Sequence, residues 1–260
     1  MSRYYILDTP MLLRSLFFPE EDYTPGPNNS FDLMVPVDKE REIAVSCRFY
    51  MENKDWPWIL YFHGNGEVVS DYDHIAPLYH REKLNLVVSD YRGYGASSGR
   101  PTFAGLIKDA HFVLKSVKKE LSDREYPDNL FLMGRSMGSI PALELARHYP
   151  KDLKGLIIES GFVCATRLVK HLRLPSSGLN LEALEEECVA KAREITLPTL
   201  IVHGEYDNLV PLQEARDLLT YLGSTQKELL VIPGAEHNNI MFMDEQQYFQ
   251  ALSKFCYSLK

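Results

Sequence analysis

An α/β fold, with a mostly parallel sheet covered by helices on both faces, is what this 260-residue chain predicts, on three observations. Short apolar runs alternate with longer amphipathic ones along most of the sequence, the pattern of strands joined by crossover helices. Several short runs are apolar at every position, as strands buried on both faces require. Polar, glycine-bearing stretches follow these runs, and in such sheets ligands bind beyond the carboxyl ends of the strands. With 45% hydrophobic residues the chain can bury one substantial core, so residues 1–260 are expected to form a single domain with a small insertion.

In chain order, Leu12, Leu13, Leu16, Phe17 and Phe18 before Pro19 predict a short helix lying against the domain, with a membrane-surface anchor as the alternative. Phe31 to Val37 and Ile43 to Tyr50, around the polar turn Asp38-Lys39-Glu40, predict an antiparallel pair at the sheet edge. Trp58 to Phe62 is a strand entering the loop His63-Gly64-Asn65-Gly66, with Val68 to Tyr79 as the first covering helix. Leu84 to Ser89 is another strand, followed by Asp90-Tyr91-Arg92-Gly93-Tyr94-Gly95-Ala96-Ser97-Ser98-Gly99. From Phe103 to Leu121 apolar residues recur every three or four positions, with Lys108, Lys115 and Lys118 on the other face, the signature of an amphipathic helix. Asn129 to Met133 runs into Gly134-Arg135-Ser136-Met137-Gly138 and then a helical stretch through Ala142, Leu145 and Ala146. Gly155 to Ile158, Leu197 to Val202 and Glu228 to Ile232 are further strands, with helices over Leu212 to Leu222 and Asp244 to Leu259. More than thirty residues separate Glu159 from Leu197, too many for an ordinary connection. They hold two helical stretches, Val163 to Leu174 and Leu181 to Ile195, read as a small cap over about 163–195. Either it lines a substrate pocket as a lid, or it packs on the domain with an acidic face of Glu182, Glu185 and Glu186 in water.

Composition narrows the partners. A net charge of −8 argues against nucleic acid, which needs clustered Lys and Arg. Cys47, Cys164, Cys188 and Cys256 have neither CxxC nor Cys/His metal spacing, so reduced buried thiols are expected and no metal. No stretch approaches the roughly 20 apolar residues of a membrane span. Asp8 and Arg14 interrupt any signal-like run, so a cytoplasmic protein without stable membrane insertion is expected. Nothing in the sequence sets an oligomeric state.

Strand, Gly-x-Ser-x-Gly, helix is the pattern of a sharp turn with Ser136 at its apex. A serine hydroxyl needs a base to take its proton, and the base needs an acid to fix its tautomer. Asp207 follows one predicted strand and His237 the next, so both fall on the sheet edge that carries Ser136. Glu159, also at a strand end, is the competing acid. Ser97 and Ser98 lack a following helix and read as turn formers. His63 and His203 read as backbone-bonding loop residues, while His74, His80, His111, His148 and His171 show no partner at ligand spacing. Arg167, Lys170, His171 and Arg173 form a basic group in the cap, read as a solvated helix face.

The order Ser136, Asp207, His237, with the glycine-flanked serine, the His63-Gly64-Asn65-Gly66 loop and the Asp90–Gly95 turn, resembles the α/β-hydrolase superfamily over nearly the whole chain, in its esterase and thioesterase-like branch. The resemblance implies cleavage of an ester or thioester of a small-molecule acyl substrate through an acyl-serine intermediate, with no metal or organic cofactor. It implies Ser136, Asp207 and His237 as catalytic residues and the N–H groups of Asn65 and Met137 as the oxyanion hole, with Gly66 as an alternative second donor. A peptidase or amidase on the same triad, and a non-catalytic binding module of this fold, stay open as alternatives.

Overall fold

The computed structural model describes residues 2–259, so Met1 and Lys260, the two ends of the expected domain, lie outside the described residues. Among the described residues eight strands form one sheet: β1 (Ser30–Asp38), β2 (Ile43–Tyr50), β3 (Trp58–Phe62), β4 (Asn85–Ser89), β5 (Leu130–Arg135), β6 (Leu156–Glu159), β7 (Thr199–Gly204) and β8 (Lys227–Ile232). Their spatial order is β1-β2-β4-β3-β5-β6-β7-β8. The first two pair antiparallel at the edge, and the strands from β4 to β8 run parallel. The helices are α1 (Pro10–Leu16), α2 (Ala76–Arg81), α3 (Phe103–Asp123), α4 (Ser139–His148), α5 (Ala165–His171), α6 (Leu181–Arg193), α7 (Leu212–Tyr221), α8 (Ile240–Met243) and α9 (Glu245–Ser258).

Alternate residues of each central strand feed two cores. Trp58, Leu60, Phe62, Leu132 and Ile158 pack with α3, α4, α6 and α7 on one face. Ile59, Tyr61, Met133, Ile157 and Val202 pack with α2 and α9 on the other. Every residue of β3 and β5 is buried, which is why their sequences show no alternation. Each fully buried large apolar side chain of this kind contributes roughly 2 kcal/mol.

Where the elements depart from expectation the chemistry explains it. The expected helix Val68 to Tyr79 is two pieces, a 3-10 segment Val69–Asp73 and α2. Pro77 can sit only in a first turn, so a new helix starts beside it. The segment before α9 contains an unforeseen turn of helix, α8, and Asp244 caps α9 by accepting from Gln247 N–H. The expected strand from Leu197 begins instead at Thr199, past Pro198, which has no N–H to donate.

In the segment between β6 and β7, Leu181, Leu184, Cys188 and Ala192 of α6 are buried in the core that α4 and α7 share. Arg167 of α5 pairs with Glu185, Glu214 and Asp217, and Lys170 with Glu185, so these cations are neutralised in place. Among the described residues no helix is long and apolar enough to cross a membrane.

Candidate active site

Strand register assembles the site. Phe62, the last residue of β3, lies opposite Gly134, and Arg135, the last of β5, lies opposite Glu159. The loops after β3, β5, β7 and β8 therefore leave one edge of the sheet side by side. Between β5 and α4 the chain turns so sharply that Ser136 sits at φ +50°, a left-handed conformation that costs a non-glycine residue energy and recurs at functional sites. The flanking glycines permit the bend. A Cβ on Gly134 would stand 2.4 Å from the Gly138 carbonyl oxygen, and one on Gly138 would stand 2.0 Å from the Phe62 carbonyl oxygen. The second close approach sets the turn after Ser136 against the start of the His63–Gly66 loop.

Ser136, Asp207 and His237 come together. His237 Nε2 is 3.1 Å from Ser136 Oγ, and His237 Nδ1 is 2.7 Å from Asp207 Oδ2. Asp207 Oδ1 accepts from the N–H groups of Leu209 and Val210 at 3.0 and 2.7 Å, which fixes the carboxylate plane. Burial alone would raise the Asp207 pKa, but the bond to His237, its charge and the Val210 N–H outweigh burial and hold it below the usual carboxylate value. His203 Nε2 donates to the Val210 carbonyl at 2.7 Å, tying the loop back on itself, and burial lowers its pKa, which favours this neutral donor form. His63 likewise meets the loop backbone, with Nδ1 2.7 Å from the Gly64 carbonyl.

Asn65 acts through its side chain as well as its place in the loop. Its Oδ1 accepts from the Tyr94 hydroxyl at 2.6 Å and from the Phe18 N–H at 3.0 Å, anchoring the loop to the Asp90–Gly99 turn and to the N-terminal segment. Ser97 and Ser98 are turn formers whose Oγ atoms accept from the N–H groups of Ser46 and Ala44. Glu159, the competing acid, is directed elsewhere. It accepts from Arg135 Nε at 3.1 Å and the Tyr248 hydroxyl at 2.5 Å, and burial raises its pKa.

The residue that motif reading passes over is Arg135, between Gly134 and the serine. Its guanidinium pairs with Glu67 and Glu159 and donates to the His237 carbonyl at 2.9 Å and to Asn238 Oδ1 at 3.0 Å. Glu67 in turn accepts from the Gly64 N–H at 2.9 Å and the Tyr72 hydroxyl at 2.7 Å. One buried cation thus ties the loops after β3 and β8 to the end of β6. A side chain on Gly64 would fall 2.3 Å from Arg135 Nη1, which gives that glycine a packing reason. The signal in the sequence was an arginine closing an otherwise apolar strand. Beside it is a cavity of about 180 Å³, lined among others by Glu67, Tyr72, Arg135, Asn238 and Met241, of which Ser136 is not a lining residue.

His111 and His148, expected to have no ligand-type partner, gather with Glu144 so that one donor atom from each lies within 4.8 Å of the others. They meet because α3 crosses α4, which sequence spacing does not display. Lys191 stands 3.5 Å from Glu144 and Arg147 3.3 Å from His148 Nε2, so two protein cations already occupy the approaches to this group.

The sequence pattern of the family described as serine aminopeptidase, S33, matches residues 57–180 and 167–245. The chain belongs to that family. Among relatives of this S33 family member, the uncharacterized Escherichia coli (strain K12) protein YfhR is 30% identical over 182 residues, 69% of this chain and 62% of YfhR. The chain therefore spans less than two thirds of that relative's length. Human alpha/beta hydrolase domain-containing protein 17B is 28% identical over 216 residues, 81% of this chain and 70% of the human protein. Among solved structures, an esterase of Pyrococcus furiosus superposes with a TM-score of 0.73 at 18% identity, covering 93% of this chain and 98% of the esterase. A monoacylglycerol lipase of Paleococcus ferrophilus gives 0.64 at 18% identity, over 84% and 100%. The S33 member has the α/β-hydrolase fold.

Proposed function

We propose that the chain is a serine hydrolase that cleaves a carboxylic ester or thioester through an acyl-serine intermediate. The observation that carries this is the relay Ser136 Oγ, His237, Asp207 at 3.1 and 2.7 Å, with the serine held at a left-handed turn. His237 takes the Ser136 proton as the oxygen attacks the acyl carbon, then delivers it to the leaving group. Asp207 holds the tautomer and offsets the charge that develops on the imidazole. The N–H groups of Met137, in the 3-10 turn Ser136–Gly138 that leads into α4, and of Asn65, in the anchored loop, receive the negative charge on the carbonyl oxygen. Water, deprotonated by His237, then releases the acid. No step calls for a metal or an organic cofactor.

Exposed apolar side chains on the neighbouring segments favour an apolar acyl group. Exposed Phe18, Tyr206, Leu209, Phe242 and Met243 stand on the segments that carry or follow the Asn65 anchor, Asp207 and His237. The family description supplies the competing substrate, a peptide with a free amino end. We read residues 1–260 as one hydrolase domain and 163–195 as its cap.

The deciding experiment is labelling by a fluorophosphonate, with Ser136→Ala in parallel and circular dichroism on both. Labelling of the wild type alone is expected. A folded wild type that does not label, or a variant that labels equally, rejects the assignment. Turnover of p-nitrophenyl esters of graded chain length against aminoacyl p-nitroanilides then separates ester from peptide cleavage.

A further inference from the structure

Two of the four cysteines meet. Cys164 immediately precedes α5 and Cys188 lies within α6, and their Sγ atoms are 2.8 Å apart. Disulfide closure requires about 2.0 Å, so the sulfurs need approach by less than one ångström. Cys47 on β2 and Cys256 on α9 instead belong to cores on opposite faces of the sheet. The pair lies between two helices of the segment that joins β6 to β7, beside Tyr4, whose hydroxyl accepts from the Ala165 N–H at 3.3 Å.

The surroundings suit chemistry at sulfur. Cys188 lines a cavity of about 30 Å³ with Tyr4, Glu144, Val163 and Lys191, room for one water-sized molecule. Burial opposes ionisation of Cys164, but hydrogen bonds from Cys188, Thr166 and Tyr4 outweigh it and lower its pKa. Cys47, which lacks such a partner thiol, is pushed up to about 12 by burial. Cys188, which faces the cavity, is pushed well up by its bond to Cys164 and by burial, so thiolate character falls to Cys164 and access to its partner, and only the pair together holds the two features that select cysteines for oxidation.

We propose that Cys164 and Cys188 are a peroxide-oxidisable dithiol that closes to a disulfide clamping the start of α5 to α6. In the first step one sulfur, as thiolate, attacks an oxygen of hydrogen peroxide. An S–O bond forms as the O–O bond breaks, and the departing hydroxide takes up a proton as water. The second sulfur then attacks the first, the S–S bond forms, the S–O bond breaks and a second water leaves. Two thiols and one peroxide give one disulfide and two waters, a two-electron oxidation of sulfur matched by reduction of the peroxide.

The test is a peptide map of the full chain treated with one equivalent of hydrogen peroxide, quenched, unfolded and alkylated with iodoacetamide. The expected result is a linked peptide pair holding Cys164 and Cys188, lighter by two hydrogens. Alkylatable cysteines fall from four to two and return to four after dithiothreitol. The proposal is overturned if all four stay alkylatable, if a different pair links, or if Cys164 or Cys188 passes to sulfinic acid without a cross-link. In Cys188→Ala the first step has no resolving partner, so dimedone should trap a sulfenic acid at Cys164. A dimedone adduct in the wild type in place of the linked peptide counts against the pair. The wild-type map decides the matter even where that variant does not fold.

Discussion

Arg135 holds more of the site together than any residue that chemistry would name first. Removing its charge leaves the buried Glu159 and the half-buried Glu67 without their partner, and breaking a buried ion pair such as Arg135–Glu159 costs about 3–5 kcal/mol. Arg135→Met should therefore lower the melting temperature markedly in a thermal scan, and Glu159→Gln in the same background should recover part of the loss. Equal melting of Arg135→Met and wild type would remove Arg135 from this role. In the proposed mechanism Asp207 acts differently, because it orients rather than supports. Asp207→Asn should lower kcat about 10⁴-fold with KM little changed, measured on an activated ester. Wild-type turnover in that variant would return the choice to Glu159. Ser136, Asp207 and His237 were legible because each belongs to a short stretch with its own punctuation of glycine or proline, and because their order along the chain is distinctive. Arg135, Glu67 and the Asn65 side chain were not, since each acts on partners brought in by other strands and loops, and an arginine in isolation reads as surface.

Among the elements, the contact between β3 and the start of α4 is the tightest constraint at the site. Gly138→Ala would drive a methyl group into the Phe62 and His63 carbonyls, at 2.0 and 2.8 Å, with backbone rather than a flexible side chain in the way. The expected cost is about 3 kcal/mol, read as a drop in the denaturant midpoint at unchanged m. A midpoint equal to wild type would show that the turn can open. At the α3–α4 crossing, burial would raise the Glu144 pKa. Hydrogen bonding to His111 and the charges of Lys191, His148 and Arg147 outweigh it and bring the value from 4.5 to about 2. A carboxylate depressed on folding stabilises above its unfolded pKa and loses that contribution as pH falls through the folded one. Glu144→Gln should thus melt below wild type at pH 7, and the gap should close as pH falls from 4.5 toward 2. A gap independent of pH would assign the loss to packing. Strands were easier to read than helices here. Full burial on both faces leaves an unbroken apolar run, as in β3 and β5, whereas Pro77 splits what looked like one covering helix and local periodicity did not register the split.

Over the whole molecule, stability is graded from the centre of the sheet outward. β3 and β5 are buried at every position, while β1, at the edge, alternates exposed and buried residues and pairs on one side only. Native-state hydrogen exchange should find the slowest amides in β3 and β5 and should open β1 and β2 at a lower free energy. Uniform protection across all eight strands would contradict that ordering. The fold class was legible because alternation of strand and helix is a property of the entire length; the crossings that bring His111 to His148, or Cys164 to Cys188, depend on how helices lie against one another, which no single segment encodes. The anchoring of Asn65 by the Phe18 N–H has one more consequence. Residues 18–22 also grip the turn beside the site, with Gly95 N–H donating to the Glu20 carbonyl, Asp22 N–H donating to the Gly95 carbonyl, and Ser70 Oγ bonding Asp22. A protease that nicks the exposed stretch around Phe18 to Glu21 would leave Ser136, His237 and Asp207 untouched yet unmoor the loop facing them. Limited proteolysis would then silence turnover before the sheet unfolds.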